Sequence, residues 1–147
     1  MATKIFVNLP VQDLSKSMDF FTHLGFSFNP QFTNHEAACL VLGENIFAML
    51  LTHARFADFT KKKIADATQS TEVLLCLDGE DRAAVDTMVQ RALEAGGSTY
   101  AEPMDHGWMY GHSFADLDGH QWEVAFMDAA ALEAMMQESG AQTAAEL

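Results

Sequence analysis

Apolar residues along this chain fall into two patterns that alternate, and the alternation occurs twice. Ile5-Phe6-Val7-Asn8-Leu9-Pro10-Val11 reads as a strand. Leu14, Met18, Phe21 and Leu24 then recur at spacings of three and four, the signature of one apolar helix face. Asp13 is placed to cap that helix by accepting a backbone N–H, and Gly25 to end it. Short strands follow at Phe26-Ser27-Phe28, at Ala37 to Leu42 and at Ile46 to Thr52, separated by turn residues.

The second copy opens with a strand over Glu72 to Leu77. A helix from about Asp81 to Ala95 comes next, with Val85, Met88, Val89, Ala92 and Leu93 on one face. Glu102 to Gly107 reads as a loop or short edge strand. Met109 to Ala115 is a strand, Asp116-Leu117-Asp118-Gly119 a tight turn, and His120 to Met127 the last strand. Between the copies, Arg55 to Thr68 reads as a bridging helix. Ala129 to Glu138 reads as a C-terminal helix, and Gly140 to Leu147, small and polar, as a frayed tail.

Two copies are too few to stack as a solenoid, so the expectation is an α+β fold. Two βαβββ modules, about 4–52 and 71–127, should form paired curved mixed sheets around a cleft, with helices outside. A chain of 147 residues, 49% hydrophobic, supports one domain with one core.

The formal net charge is −13, which disfavours nucleic acid and anionic membrane as partners. The one basic run, Lys61-Lys62-Lys63, is expected to be a solvated helix face. Cys39 and Cys76 sit in apolar runs and read as buried free thiols. No apolar run nears the roughly 18 residues of a membrane span. The expectation is a cytoplasmic protein.

Two stretches carry a resemblance. Leu9-Pro10-Val11-Gln12-Asp13-Leu14, followed by Phe20-Phe21 and Gly25-Phe26, resembles the opening of glyoxalase-like proteins. Phe114-Ala115-Asp116-Leu117-Asp118-Gly119-His120-Gln121-Trp122-Glu123 resembles their closing turn and strand, with Leu117 where proline is usual. The family is the vicinal oxygen chelate superfamily, and the resemblance covers about residues 4 to 127. It implies a small-molecule site enclosed by the sheets, and dimers are common among its members.

Metal-dependent members place ligands early in the first strand of each module and near the middle of the last. The resemblance assigns those positions here to Phe6, Glu72, Leu50 and Glu123. A phenyl ring and an isobutyl group donate no lone pair, so the expectation is no cofactor. A divalent metal on Glu72 and Glu123 stays open only with a displaced ligand from His106, Tyr110 or His112.

Strand alternation then gives the expected pocket wall. Phe6, Asn8, Ala48 and Leu50 line the first half; Glu72, Leu74 and Glu123 line the second. No Lys or Arg falls at an expected inward position. Two unneutralised carboxylates side by side would share a proton and supply an acid and a base. The alternative is that Glu72 begins its strand in solvent. His106, Trp108, Tyr110 and His112 are further candidates for substrate contact, and Trp122 reads as core.

Two functions follow as expectations. The first is a glyoxalase-like lyase or isomerase working through Glu72 and Glu123. The second is a non-catalytic binder of the bleomycin-resistance type, taking a cationic drug-like molecule in an acidic, aromatic cleft. A homodimer is expected for both.

Overall fold

The computed structural model describes residues 1–140. Four strands, β1 (Ile5–Val11), β2 (Ser27–Asn29), β3 (Ala37–Gly43) and β4 (Ile46–Thr52), form one sheet in the order β1-β4-β3-β2. Four more, β5 (Leu75–Asp78), β6 (Met104–Asp105), β7 (Met109–Ala115) and β8 (Gln121–Met127), form another in the order β5-β8-β7-β6. In both sheets the first and last strands pair in parallel and the others antiparallel. The duplication legible in the sequence is therefore a duplication of topology.

Helix α1 (Leu14–His23) starts where Asp13 accepts from the N–H of Lys16, and Gly25, at φ 104°, ends it. Helix α3 (Arg82–Glu94) begins at Asp81, whose carboxylate accepts from the N–H of Ala84. Helix α4 (Ala129–Ser139) is capped by Asp128 in the same way. The tail expected to fray lies, over 141–147, outside the described residues. No helix among the described residues is long and apolar enough to cross a membrane.

The modules share one core. Phe20 and Phe21 of α1 are both 1% exposed. They reach across to the second sheet, where Phe21 meets Trp122 edge-on at 5.4 Å and Phe20 lies 6.2 Å from Phe114. Phe114 and Trp122 are parallel within 4°. Burying each such ring contributes about 1.5–3 kcal/mol, so this aromatic column is the main bond between the modules.

Two elements differ from expectation. The bridging helix over 55–68 shrinks to α2 (His53–Ala57). Beyond it, local side-chain bonds take the backbone out of helix: Thr60 Oγ1 accepts from the N–H of Lys62, and Asp66 Oδ1 accepts from the N–H and hydroxyl of Thr68. Three consecutive lysines add mutual repulsion. The strand expected from Glu72 starts only at Leu75, because its partner β8 begins at Gln121 and Leu75 pairs with Trp122. Upstream of Gln121 the chain is a turn and offers no further ladder.

Candidate functional site

Each sheet turns one face to helices and leaves the other open. On the second sheet the register places Cys76, Glu123 and Ser113 in one row across β5, β8 and β7, with Asp78 and Ala125 in the next. The opposite face, with Trp122, Val124, Phe114 and Tyr110, packs toward α3 or the core.

The row is electrostatically negative. Cys39 is buried as expected, whereas Cys76 is exposed on the open face. Packing against the sheet, and then the charges of Glu123 and Asp78, push the Cys76 thiol above its ordinary range, so it stays protonated at neutral pH. Tyr100 also titrates high, through burial first and then through Glu123 and Cys76; its hydroxyl donates to the Trp122 carbonyl at 3.3 Å. Ser113 Oγ is buried beside Tyr100, whose hydroxyl it holds down against the burial that raises it.

The open face of the first sheet is aromatic. Phe6 pairs in register with Phe47, and Asn8 with Met49. The two phenyl rings stack at 4.9 Å and 12°, with Phe6 51% exposed. Ala48 and Leu50, expected on this face, instead point to the core and are 0% exposed. Parallel neighbours in register share a face, so pairing Phe6 with Phe47 forces Ala48 and Leu50 to the other side.

Glu72 lies three residues before β5 and is exposed, as is Leu74. The side chain beside Glu123 in register is Cys76, so the expected pairing of Glu72 with Glu123 is not formed by the sheet. The family's metal positions do not fit a divalent ion. The first sheet offers Phe6, Phe47, Met49 and Leu51 on its open face, and its single hard donor there is the Asn8 amide oxygen. Among the described residues no three His, Cys, Asp or Glu side chains gather as ligands.

A cavity of about 410 Å³ opens between the free edge of β1, the segment 60–73 and β5. Asn8, Pro10, Lys62, Lys63, Glu72 and Gln121 give it its polar groups. The expectation that no Lys or Arg faces inward is thus corrected. Once the bridging helix is gone, the basic run lies across a pocket and no longer on a solvated helix face.

His106 and Trp108 lie in the loop before β7, and Tyr110 and His112 on β7 itself. Tyr110 and His112 point to the α3 side of β7, away from Glu123. The Tyr110 hydroxyl donates to Asp86 at 2.6 Å, and Arg82 lies 4.9 Å over its ring. Arg82 grips Asp105 with two bonds, 2.7 and 2.9 Å, and Asp105 also accepts from the N–H of Gly107. His106 and Trp108 stack at 6.2 Å in the loop so held. His112 Nε2 lies 3.4 Å from the Thr99 hydroxyl.

The Arg82 guanidinium holds Asp105 down at about 2, from an ordinary value of 3.8. A depressed folded pKa stabilises above the unfolded value and is lost as pH falls through the folded one. In acid unfolding followed by circular dichroism, the wild type should therefore lose stability between about pH 4 and 2 through this pair. Arg82→Ala should lack that component; identical acid profiles would show that the brace contributes nothing.

The closing turn is a clasp between modules. Asp116 accepts from the N–H groups of Asp118 and His120, each at 3.0 Å, and from Trp122 Nε1 at 3.0 Å. That bonding fixes the turn so that Asp118 accepts from the N–H of Gln12 at 2.8 Å and from the Ser17 hydroxyl. His120 donates from Nε2 to the Pro10 carbonyl at 2.7 Å. Sequence reasoning gave His120 no role, since a contact 110 residues away leaves no local signal.

Paired βαβββ modules with open sheet faces define a glyoxalase-like protein. Residues 3–43 match the family model described as bleomycin resistance protein-like N-terminal. The structure is similar to that of a hypothetical protein from S. aureus, at 30% identity and TM-score 0.73, over 86% of this chain and 95% of that one. It is also similar to a glyoxalase-related enzyme from Fulvimarina pelagi (20% identity, TM-score 0.73, 86% and 88% covered). The fosfomycin resistance protein FosX from Listeria monocytogenes shares the fold at 17% identity and TM-score 0.62, over 86% and 91%. No curated protein sequence matches. The chain belongs to the glyoxalase/bleomycin-resistance-like family.

Proposed function

We propose that the protein binds a small cationic molecule with an apolar body, without a metal, at a site completed by a second copy of the chain. The observation that carries this reading is the row Cys76–Glu123–Ser113 on the open face of the second sheet. It offers a carboxylate and a thiol held neutral, with Asp78 adding negative charge. A ligand ammonium would meet acceptors there and offset the charges of Glu123 and Asp78, which after burial raise the Cys76 thiol.

The other half of such a site is the Phe6–Phe47 stack, a flat surface on which an apolar or cationic ring would lie. The two halves are on different sheets, and each is open. Pairing the acidic face of one copy with the aromatic face of another would enclose a ligand and cover Phe6, Ile5 and Ile46, all exposed. Binding is favoured over lyase or isomerase chemistry. The acid–base pair expected from the sequence, Glu72 with Glu123, is not formed by the sheet, since the neighbour of Glu123 is Cys76.

Thermal shift measures this directly, since a ligand that binds only the folded state raises the melting temperature. Small cationic aromatics should raise it more than matched anions, with the gain shrinking as salt rises. Chelator should leave the shift unchanged. Glu123→Gln should abolish it while the fold persists, and Phe6→Lys should leave sedimenting monomers with weakened binding. A shift unaffected by Glu123→Gln would sink the reading, as would stoichiometric transition metal in the purified protein.

A further inference from the structure

The cavity under the segment 60–73 has a character opposite to the rest of the molecule. The chain carries 21 Asp and Glu against eight Lys and Arg. Two of those eight, Lys62 and Lys63, line this cavity and form no ion pair among the described residues. Arg55 and Arg82, by contrast, are already neutralised by Asp58 and Asp105.

The depth of the cavity is apolar. Val7, Leu9, Phe56, Ile64, Val73 and Leu75 supply its walls. Its volume, about 410 Å³, is within the range of small-molecule sites, about 300–1,000 Å³. Of its charged side chains two are lysines, Lys62 and Lys63, and one is a carboxylate, Glu72.

The backbone adds one more donor. β1 is an edge strand, and its Pro10 carbonyl points off the sheet to accept from His120. Main-chain groups of residues two apart in a strand point the same way. The N–H and the carbonyl of Asn8 therefore both point away from β4, toward the cavity, alongside the Asn8 side-chain amide. An edge N–H has no partner in the ladder and is available to a ligand oxygen. Against the donors stand the Asn8 carbonyl and one carboxylate, Glu72.

We propose that this cavity binds an amphipathic carboxylate, its hydrocarbon part among Leu9, Ile64 and Leu75 and its carboxylate toward Lys62, Lys63 and Asn8. The site is separate from the acidic face around Glu123 and takes a ligand of opposite charge. In a protein this acidic, long-range repulsion disfavours anions everywhere else, so the lysine rim also supplies selectivity. Glu72 opposes the ligand, which sets affinity below what the lysines alone would give.

Octanoate is the probe, titrated calorimetrically into the full chain, with octylamine and 1-octanol as cationic and neutral matches. Octanoate should bind with one site per chain and more tightly than either. The double variant Lys62→Gln/Lys63→Gln should weaken it about tenfold, about 1.4 kcal/mol, and Glu72→Gln should strengthen it. Val73→Trp, which fills the cavity from its exposed rim, should block octanoate with both lysines in place. Glu123→Gln should change none of these values, so loss of the cationic site would leave this one standing. Equal binding of octanoate and octanol, or an unchanged affinity in the lysine double variant, would overturn the proposal; so would octanoate binding that survives Val73→Trp.

Discussion

Asp116→Ala should cost about 3–5 kcal/mol of folding stability, measured by urea unfolding. The carboxylate is 7% exposed and serves three donors at once: the indole N–H of Trp122 and the backbone N–H groups of Asp118 and His120. Each buried donor left without a partner costs about 1–3 kcal/mol. The sum is held below the maximum because the two backbone groups are part-buried and water would reach them. The indole has no such rescue, since Trp122 is 1% exposed.

A companion variant isolates that bond. Trp122→Phe keeps an aromatic ring near Phe21 and Phe114 but removes the donor. Combined with Asp116→Ala it should cost less than the two single losses added together, by about 1 kcal/mol, since no indole N–H remains to be stranded. If Asp116→Ala stays within about 1 kcal/mol of wild type, the turn is held by packing and the clasp is not its cause. Burial pushes the Asp116 carboxyl up on balance, helped by the Asp118 charge, while His120, the Trp122 indole and the Asp118 N–H pull it down.

Gly119→Ala should cost about 2–5 kcal/mol and should also disturb the cavity. Gly119 has φ 87°, a left-handed conformation that costs other L-residues about 1–2 kcal/mol. A methyl group there would also stand 2.9 Å from the Ala67 oxygen and the Thr68 nitrogen, and 3.0 Å from the Ala67 carbonyl carbon. These are backbone atoms of the segment that roofs the cavity, and moving them costs about another 1–3 kcal/mol. Gly107→Ala is the control: its φ is 81°, yet nothing lies within 4 Å, so only the conformational part remains. Comparable losses in the two variants would remove the steric argument. Octanoate affinity should fall in Gly119→Ala and hold in Gly107→Ala.

Periodicity gave most elements to within a residue or two. β1, β4 and β7 have the expected ends, and Asp13 and Asp81 both neighbour helix starts as capping residues must. These are local facts: alternation, a cap and a glycine act over a few residues and need no tertiary partner. The segment 58–74 was misjudged for a reason just as local. Its Thr and Asp side chains bind their own backbone, a competition that hydrophobic spacing does not record.

The site was legible only in part. Glu123 and the aromatic character of Phe6 could be read from alternation within a strand. Which residue stands beside Glu123 could not, because register is settled by where β8 emerges from the turn, and that made Cys76 the neighbour. The same one-residue sensitivity sent Ala48 and Leu50 into the core and brought Phe47 and Met49 to the open face. His106 through His112, grouped in the sequence as one patch, divide between a loop and the α3 side of a strand, where Arg82 and Asp86 claim them.

By itself, then, the chain determined the duplicated βαβββ pattern, the helix boundaries and the acidic character, all properties of near neighbours or of the total charge. Only the tertiary structure decided that the closing turn clasps the modules through Asp118 and His120, that Glu72 and Glu123 are not partners, and that Lys62 and Lys63 border a cavity. Each of those depends on groups far apart in sequence meeting, and the packing of α1 against the second sheet is one of the contacts that bring the two modules together.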